Sequence, residues 1–426
     1  MNQEELNFTV SVPGKVILIG EHSVVYKKRG LAASISKRTF LHFREHKEAH
    51  EQITFTYKSL LERVEWDFKS VYNVINLNKP LTCDMKDFSL STPEYFDHDK
   101  YVELIKEFVL QKVPEDGPKQ KAMLGTFYAV LGMLWCTDID ISPFDLEVYS
   151  DVALGAGTGS SAAFSVCIAS AVYNYIRLKA YQKFGSGEFN VSSNSFKAHT
   201  MELAQHYNGF SLKDKDIVNK WAFCLEKINH STPSGIDNSV CTYGNAILLN
   251  AIGEKDEKSS IDFLDNLPSF RILLVNSGVP RSTADMAKKV STLLKICPEA
   301  TQSILDSMDI IAMKFLEHAQ EIKNESDKAD VLQHYRKLEV LIDLQHGHLR
   351  TLGVSHPRLE EICFITKRRG LHSKLTGAGG GGNAFTLLPP DATEEDIKET
   401  VQDLKSSGFL VDDIVLNGEG LTLESN

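Results

Sequence analysis

Five side chains of this sequence have the types needed to move a phosphoryl group onto an alcohol. Lys15, Glu21 and His22 come from the segment PGKVILIGEHSVV, and Glu226 and Asp237 come from WAFCLEKINHSTPSGIDNSV. Phosphoryl transfer needs a carboxylate that accepts the alcohol proton and a cation that stabilises the developing charge. It depends mainly on positioning and on charge neutralisation, with magnesium bridging the nucleotide phosphates. The two segments supply a candidate for each of these roles.

Each candidate also has an ordinary interpretation, which the residues alone leave open. Lys15 follows a Pro-Gly pair, and a lysine beside a turn is usually a solvated charge. Glu226 lies in an apolar helical turn, where a carboxylate is costly unless it is paired or bound to a metal. Asp237 follows Ser-Gly-Ile and is equally well placed to cap a helix. His346 and His348 are two positions apart and face different sides of a helix, so we expect no metal pair there.

The segment LGAGTGSSAAFSV contains three glycines within five positions, from Gly155 to Gly159. Glycine in a helix-forming context costs about 1 kcal/mol relative to alanine, which suggests that something must approach the backbone closely. A strand-like run, Leu146–Val152, precedes the loop, and a helix is predicted over Ser161–Leu178. Free N–H groups and the helix dipole at such a junction favour anions. We therefore predict a phosphate-binding loop, in which the hydroxyls of Ser160 and Ser161 can contact a phosphate or magnesium.

Other interpretations of this loop fit less well. A Walker A loop requires a lysine after its last glycine, and Ser160 follows Gly159 instead. A dinucleotide fingerprint lacks its third glycine and the acidic residue at the end of a second strand. A tight turn packed against a neighbouring helix stays open. A second glycine-rich run, Gly377–Gly382, lies between apolar stretches, unlike a polar linker. This embedding favours a backbone that approaches a ligand from another domain.

The surrounding pattern predicts two domains, residues 1–262 and residues 263–426. The charged segment Gly253–Ser260 separates two strand-like runs at this boundary. Near the N-terminus, Asn7–Ile19 is predicted as strand, turn and strand, with Pro13-Gly14 as the turn. Two helices are predicted in the second domain, the later one from Val331 to about Leu352. The earlier one carries Ile304, Met308, Ile311, Phe315, Ala319 and Ile322 at helical spacing.

Composition narrows the class of partner. The chain of 426 residues has a net charge of −11, which argues against nucleic acid as its main partner. Its seven cysteines are scattered without a C-x-x-C pair, as is usual in a reducing compartment. Its start lacks a signal-peptide apolar region, and no apolar run approaches the ~20 residues that span a bilayer. We expect a soluble cytoplasmic protein without a membrane span.

Five segments resemble, in order and approximate spacing, the motifs of the GHMP kinases. They are PGKVILIGEHSVV, GAGTGSSAAFSV, KWAFCLEKINHSTPSGIDNSV, VPRST and HSKLTGAGGGG, and the resemblance covers nearly the whole chain. It implies an α+β fold with two domains and the active site between them. The N-terminal domain would be like domain 2 of ribosomal protein S5, and the C-terminal domain would be ferredoxin-like. The resemblance is strongest to the members that phosphorylate mevalonate with ATP and magnesium.

The resemblance also implies a role for individual residues. Asp237 would be the base that takes the proton of the mevalonate 5-hydroxyl, and Lys15 would stabilise the transferring phosphoryl group. Ser161 and Glu226 would hold Mg²⁺. The implied nucleotide contacts are Lys15, Ser150, Gly155, Ala156, Gly157, Thr158, Gly159, Ser160 and Ser161. The implied substrate contacts are Glu21, His22, Thr283 and Ala378. The family further suggests a homodimer and inhibition by prenyl diphosphates that compete with ATP.

The sequence departs from the usual family pattern in three places. Ala153-Leu154 replace two prolines before the loop, and Thr158 replaces a leucine, so we expect a less rigid loop. The helical segment LIDLQHGHL also varies, without a proposed chemical role. The stretch from Lys86 to Asp116 is longer than usual and is interpreted as a surface insertion, and Gly185–Asn194 is a second polar insertion.

Within the same fold, other substrates fit the sequence less well. Galactokinase would carry a sugar-binding arginine and an aspartate after Gly-Glu-His, where this chain has Ser-Val-Val. Phosphomevalonate kinase and homoserine kinase would lack the combination of GEHSVV with HSKLTGAGGGG. A non-catalytic, ligand-binding relative remains the alternative from a different class. Such a relative usually loses the base or a metal ligand, whereas Lys15, Ser161, Glu226 and Asp237 are all present.

Overall fold

The structure is a computed structural model in which residues 5–47, 50–77, 89–95, 97–114, 117–137, 139–185, 209–229, 233–250 and 260–425 are described. The predicted insertion Gly185–Asn194 lies outside this range except for its first residue. The strands are β1 (Asn7–Ile19), β2 (Gly30–Glu45), β3 (Gln52–Tyr57), β4 (Glu62–Asp67), β5 (Phe144–Ser150), β6 (Ala246–Leu249), β7 (Ile261–Leu264), β8 (Arg271–Asn276), β9 (His372–Thr376), β10 (Asn383–Leu388), β11 (Leu410–Val415) and β12 (Thr422–Glu424). The helices are α1 (Phe68–Leu77), α2 (His98–Val109), α3 (Pro118–Trp135), α4 (Ser160–Phe184), α5 (Leu212–Asn229), α6 (Ile236–Tyr243), α7 (Thr283–Ile296), α8 (Pro298–Asn324), α9 (Lys328–Thr351), α10 (Pro357–Lys367) and α11 (Glu394–Ser406).

The strands form two sheets. The larger one has the order β12-β1-β2-β5-β3-β4, and β6 extends it by pairing with β2 and with β7. The smaller one has the order β11-β8-β10-β9 and is antiparallel throughout. Pairing in the larger sheet is antiparallel except between β3 and β5. Antiparallel sheets with helices packed against them give the α+β class that the sequence predicts.

The N-terminal run forms one strand, so the predicted strand–turn–strand is wrong. β1 continues over 13 residues, and its pairing with β2 shifts register between Pro13 and Lys15. A bulge tolerates a proline, because one residue there is already unpaired. A Cβ added to Gly14 would lie 2.7 Å from the backbone oxygen of Thr158. The pairing of β1 with β2 is therefore irregular at the Pro-Gly pair, where β1 passes directly against the glycine loop.

The helices predicted from periodicity are confirmed. α4 begins at Ser160, directly after the glycine loop, and is buried along most of its 25 residues. α8 has a proline in its first turn, a position that needs no N–H donor. α9 begins after Asp327, whose carboxylate accepts the backbone N–H groups of Ala329 and Asp330. A proline in the first turn and a capping aspartate thus set where these helices begin.

The stretch interpreted as a surface insertion contributes to the core in its described part. α2 buries Tyr101, Ile105 and Val109 among the side chains of α3 and its neighbours. Leu90 is fully buried, and the indole of Trp221 donates to its backbone oxygen at 2.8 Å. The surface interpretation is wrong there, because an apolar helical stripe within the polar stretch finds a core face to cover.

The C-terminus returns to the larger sheet, where Thr422–Glu424 pairs with β1. The predicted boundary between residues 262 and 263 falls within β7, a strand of that same sheet. It stays a prediction. Among the described residues, none of the helices combines the length and hydropathy that crossing a bilayer requires.

Candidate active site

Lys15 and Asp237 meet where β1, the glycine loop and α6 converge. The ammonium of Lys15 lies 2.8 Å from a carboxylate oxygen of Asp237. The backbone N–H of Lys15 donates to the oxygen of Thr158 at 2.8 Å, which ties the strand to the loop. Lys15 is buried, whereas the side chain of Asp237 is 40% exposed. A buried cation is thus paired with a carboxylate that is exposed enough for a ligand to reach, in the cleft beside the glycine loop.

Asp237 does not cap its helix, so that open interpretation is wrong. α6 begins at Ile236 after Gly235, and the structure shows no side-chain cap bond. Asp237 sits in the first turn, where the helix dipole favours a negative charge. Its carboxylate is therefore held by Lys15 and oriented by the helix.

The first glycine loop has the backbone that its composition predicts. Gly155, Gly157 and Gly159 have φ angles of 71°, 87° and 76°, in the left-handed region. A Cβ added to Gly159 would lie 2.8 Å from Cγ of Lys15. The loop ends at the first residue of α4, whose early N–H groups have no partner within the helix. Glycine is required here by backbone conformation and by the close approach of Lys15.

The second glycine loop lies against the first. The side chain of Asn383 donates to the backbone oxygen of Ala156 at 3.0 Å. A Cβ added to Gly382 would lie 3.3 Å from the same oxygen and 2.9 Å from Cδ of Arg281. Gly379, Gly380 and their neighbours in this loop also have positive φ angles. The two glycine-rich segments therefore form one continuous surface, contributed by both sheets.

Arg281 is a residue of this surface that sequence reasoning did not single out. A Cβ at Gly157 would lie 2.6 Å from its Cζ, and one at Gly377 would lie 2.7 Å from its Nη1. Burial lowers the pKa of the guanidinium, and the charge of Asp237 opposes that shift. The motif VPRST contains Arg281, but its side chain meets both loops only through tertiary folding.

Glu226 projects from α5 toward the start of α4. The hydroxyls of Ser161 and Ser165 both donate to Oε1 of Glu226, at 2.7 Å and 2.8 Å. Glu226 is 4% exposed, and these bonds offset part of the cost of burying its charge. A carboxylate beside a serine hydroxyl supplies the oxygen ligands that Mg²⁺ prefers. These oxygen donors thus fit Mg²⁺, the ion that the resemblance implies. Ser165 was not among the predicted site residues.

A cavity of about 440 Å³ opens beside the first glycine loop. Its lining is mainly apolar, with a few polar groups near the loop, as in small-molecule sites. Ser150 lies in this lining, with its hydroxyl 2.7 Å from that of Thr39. The lining residues are Thr39, Tyr57, Ser59, Leu60, Pro118, Lys121, Ala122, Val148, Ser150, Leu154, Gly155, Ser160, Ser161 and Phe164.

Glu21 follows β1 and pairs with a cation from the smaller sheet. Its carboxylate forms an ion pair with Lys374 of β9, and both side chains are fully buried. Gln345 of α9 donates to the second carboxylate oxygen at 3.3 Å. Burial raises the pKa of Glu21 and lowers that of Lys374, while each charge opposes the shift of the other. Neither partner was predicted, because 353 residues separate Glu21 from Lys374.

His22 and Ala378 lie together, and Thr283 begins a helix of the C-terminal half. His22 has a φ of 62°, and its Nε2 donates to the backbone oxygen of Ala378 at 2.8 Å. Burial lowers the pKa of His22, which favours the neutral ring in this donor role. Thr283 begins α7 with an exposed side chain, two residues after Arg281. The hydrogen bond to Ala378 attaches His22 to the second glycine loop.

Comparison with known proteins gives concordant matches. The model for the GHMP kinases N terminal domain matches residues 125–183, and the one described as GHMP kinases C terminal matches residues 329–406. A mevalonate kinase of Homo sapiens is 33% identical over 98% of this chain and 94% of its own length. One of Arabidopsis thaliana is 30% identical over 96% and 97%.

Solved structures show the same fold. The mevalonate kinase of Methanococcus jannaschii matches with a TM-score of 0.63 and 18% identity, over 97% of this chain and 99% of the other. That of L. major, in complex with R-mevalonate, matches with a TM-score of 0.59 and 19% identity, over 98% of each chain. These likenesses confirm the predicted two-domain α+β fold.

Proposed function

The chain belongs to the mevalonate kinases of the GHMP kinase family, and from this premise we propose that its cleft transfers the γ-phosphate of ATP to the 5-hydroxyl of mevalonate. The observation that carries the assignment of the site is the ion pair between Lys15 and Asp237. Nζ of Lys15 is 2.8 Å from Oδ1 of Asp237, beside the glycine loop, and the carboxylate is partly exposed to the cleft. A base and a cation are thus held together where the backbone suits phosphates.

Asp237 accepts the proton of the attacking hydroxyl in this proposal. Its carboxylate is an acceptor, and Lys15 holds it in one orientation. The ammonium of Lys15 also stabilises negative charge on the transferring group, since it stays buried beside the reacting atoms. The tie from the Lys15 backbone to Thr158 keeps this ammonium next to the phosphate loop.

The nucleotide binds along the first glycine loop. Backbone N–H groups of Gly155 to Ser161 face its phosphates at the start of α4, as other helix N-termini do with anions. The adjacent apolar cavity accommodates the base, with Ser150 in its wall. Ser161 and Glu226 would hold Mg²⁺, which would neutralise charge on the nucleotide phosphates. The hydrogen bond that brings these two oxygen groups together supports this ligand pair.

Mevalonate occupies the side of the cleft formed by His22, Ala378 and Thr283 in our proposal. Glu21 belongs to the same group, and Lys374 balances its charge. That balance matters because mevalonate is itself a carboxylate, which an uncompensated glutamate would repel. The neutral His22 ring is attached to the second glycine loop and so holds this wall in place.

Three further assignments are proposals that rest on the family. We propose a homodimer and ATP-competitive inhibition by prenyl diphosphates. The apolar cavity beside a phosphate-binding loop offers a surface for both parts of such an inhibitor. We also propose a cytoplasmic location, which agrees with free thiols at the six cysteines in the described part of the chain.

The test is the release of ADP by the purified protein with magnesium and ATP. Mevalonate, phosphomevalonate, homoserine and galactose are supplied in parallel, and we expect release with mevalonate alone. Phosphorus NMR of the product then locates the phosphate on the 5-oxygen. Release with another substrate would overturn the proposed specificity. ATP binding without release on any of the four would favour a ligand-binding relative.

A further inference from the structure

Ser165 lies one helical turn after Ser161 on α4, and its hydroxyl points to the same carboxylate oxygen. The two hydroxyls donate to Oε1 of Glu226 at 2.7 Å and 2.8 Å. Residues four apart share one face of a helix, so both serines look toward α5. Ser165 is 1% exposed and Glu226 is 4% exposed. The bond from Ser165 is therefore enclosed in protein.

The direction of this bond is not the usual one for a buried helical serine. Such a hydroxyl commonly donates to a backbone oxygen in the preceding turn of its own helix. Ser170, on the same helix and fully buried, does this by donating to the oxygen of Cys167 at 3.0 Å. Ser165 instead reaches a charged group on another helix, where a hydrogen bond is stronger than between neutral partners.

The two serines differ in what remains available to them when a metal is present. The oxygen of Ser161, which is only half-buried at the end of the glycine loop, can ligate a cation while its O–H still donates to Glu226. Ser165 lies one turn deeper, so its hydroxyl has the carboxylate as its partner in either state. An outer hydrogen bond of this kind orients a metal ligand.

We propose that Ser165 is a positioning residue for magnesium, which acts by holding the Glu226 carboxylate in the orientation that ligates the ion. This inference rests on the proposed function, in which Ser161 and Glu226 are the magnesium ligands. Ser165 itself does not contact the metal or the substrates. Its hydroxyl fixes Oε1, and thereby the plane of the carboxylate that the ion meets.

The experiment measures how much magnesium strengthens ATP binding. Calorimetric titration of the full-length protein gives the dissociation constant of ATP in EDTA and in saturating Mg²⁺. For Ser165→Ala we expect an unchanged constant in EDTA, and loss of most of the gain from magnesium. The magnesium concentration for half-maximal rate should rise about 10- to 100-fold. Ser165→Thr, which keeps the hydroxyl, should retain the wild-type gain.

Ser170→Ala is the matched control, because it removes a buried serine bond from the same helix without touching Glu226. It should keep the wild-type gain from magnesium. All variants are compared below their unfolding temperatures, and the near-isosteric Ser165→Cys, a weak donor, replaces Ser165→Ala should that variant not fold. An unchanged gain in Ser165→Ala or Ser165→Cys would overturn the inference, and so would equal losses in Ser165→Ala and Ser165→Thr.

Glu226→Gln separates this inference from the proposed function. Loss of the magnesium gain in Glu226→Gln but not in Ser165→Ala would refute the positioning role and keep the metal ligand. An unchanged gain in Glu226→Gln would refute the ligand assignment, and the role of Ser165 with it. Loss in both, with Ser170→Ala unaffected, supports both statements.

Discussion

Three carboxylates around the cleft differ in what surrounds them, and this difference supports the different roles proposed for them. The Asp237 side chain is 40% exposed and touches one ammonium, whereas Glu226 is enclosed by serine hydroxyls. Glu21 is fully buried against Lys374. A proton acceptor must be reachable by the substrate, while a metal ligand and a buried, charge-balanced carboxylate need fixed partners. Residue type alone does not distinguish the three.

Replacing the carboxylate of Asp237 by an amide should abolish most turnover while leaving ATP bound. We expect kcat of Asp237→Asn to fall by about 10²- to 10⁴-fold, because an amide accepts a proton poorly. ATP affinity, measured by calorimetry, should change little. Asp265→Asn is the control, since Asp265 is an exposed acceptor for Asn245 away from the glycine loops. Near-normal turnover of Asp237→Asn would remove it from the mechanism.

At the scale of elements, the strand–loop–helix unit from β5 to α4 is set by its neighbours as much as by its own residues. β1 contributes Lys15, which leaves no room for a side chain at Gly159. The second glycine loop contributes Asn383, which holds the oxygen of Ala156. The chain here lacks the family's prolines, and these two contacts restrain the loop from outside. The expected lower rigidity of the loop stays a prediction, and these contacts tie the loop to β1 and to the second glycine loop.

A side chain at Gly159 should disturb both the loop and Lys15, the proposed catalytic lysine. The added Cβ would lie 2.8 Å from Cγ of Lys15, so one of them must move. Displacement of a catalytic group by about 1 Å can cost about 10²-fold, and we expect kcat/KM of Gly159→Ala to fall by that order.

Gly185→Ala is the matched control for this prediction. Gly185 ends the same helix with a φ of 69°, and among the described residues nothing lies within 4 Å of an added Cβ. Its ψ of −169° lies in a region that only glycine adopts readily, so the variant carries a backbone strain of about 1–3 kcal/mol without a steric conflict. It should lose stability and keep its activity. Equal losses of activity in both variants would contradict the role of the Lys15 contact.

At the scale of the whole molecule, an ion pair and a side-chain hydrogen bond connect the two sheets. Glu21 at the end of β1 pairs with Lys374 in β9, and Thr376 donates to the backbone oxygen of Ile17 at 2.9 Å. The last strand, β12, returns to pair with β1. The two sheets are thus joined by a buried ion pair and a partly buried hydrogen bond.

Removing one partner of the buried pair should cost more stability than removing both. Lys374→Met leaves the Glu21 carboxylate buried and unpaired by its cation, and we expect a loss of about 3–5 kcal/mol in the free energy of unfolding. The double variant with Glu21→Gln should recover at least about 1 kcal/mol of this. Urea titration measures both.

An exposed pair provides the control for this cycle. Lys367 and Asp343 are 2.7 Å apart with side chains 52% and 43% exposed. Lys367→Met should therefore cost at most about 1 kcal/mol. Additive losses in the Lys374 and Glu21 cycle would show that the two charges do not depend on each other.

Stability should fall as the pH drops below about 6.5, the ordinary pKa of histidine. Burial is the largest cause of lowered pKa values at His22, His98, His318, His346 and His348. Between their folded and unfolded pKa values the unfolded chain binds more protons, so the free energy of unfolding decreases with falling pH. Glu21, whose pKa is raised, acts in the opposite direction.

The variant His346→Gln isolates one contribution to this slope. His346 contacts Glu360 at 3.1 Å and accepts the backbone N–H of Leu375 at 3.3 Å, and nearby Lys374 further lowers its pKa while Glu360 and Asp343 oppose this. Thermal unfolding between pH 7.5 and 5.5 should show a shallower decrease for His346→Gln than for the wild type. Identical slopes would show that His346 does not titrate differently on folding.

Much of this protein is determined by signals that act over a few residues. Helix periodicity predicts α8 and α9, and the order of strand, glycines and serines predicts a loop at the start of α4. Residue types then limit the chemistry, because lysine, carboxylates and backbone N–H groups have fixed donor and acceptor properties. The reaction itself is predicted from the resemblance of the motifs to those of the family. These features are readable because neighbouring residues share one backbone path.

What only the tertiary structure decides is which distant groups meet. The pairing of Glu21 with Lys374, the place of Arg281 between two glycine loops and the bond from Ser165 to Glu226 all join separate elements. The burial of α2 and the bulge at Pro13 likewise depend on the faces that pack against them. Sequence spacing carries no information on these contacts, because burial, charge balance and steric room arise only when the two sheets close on one another.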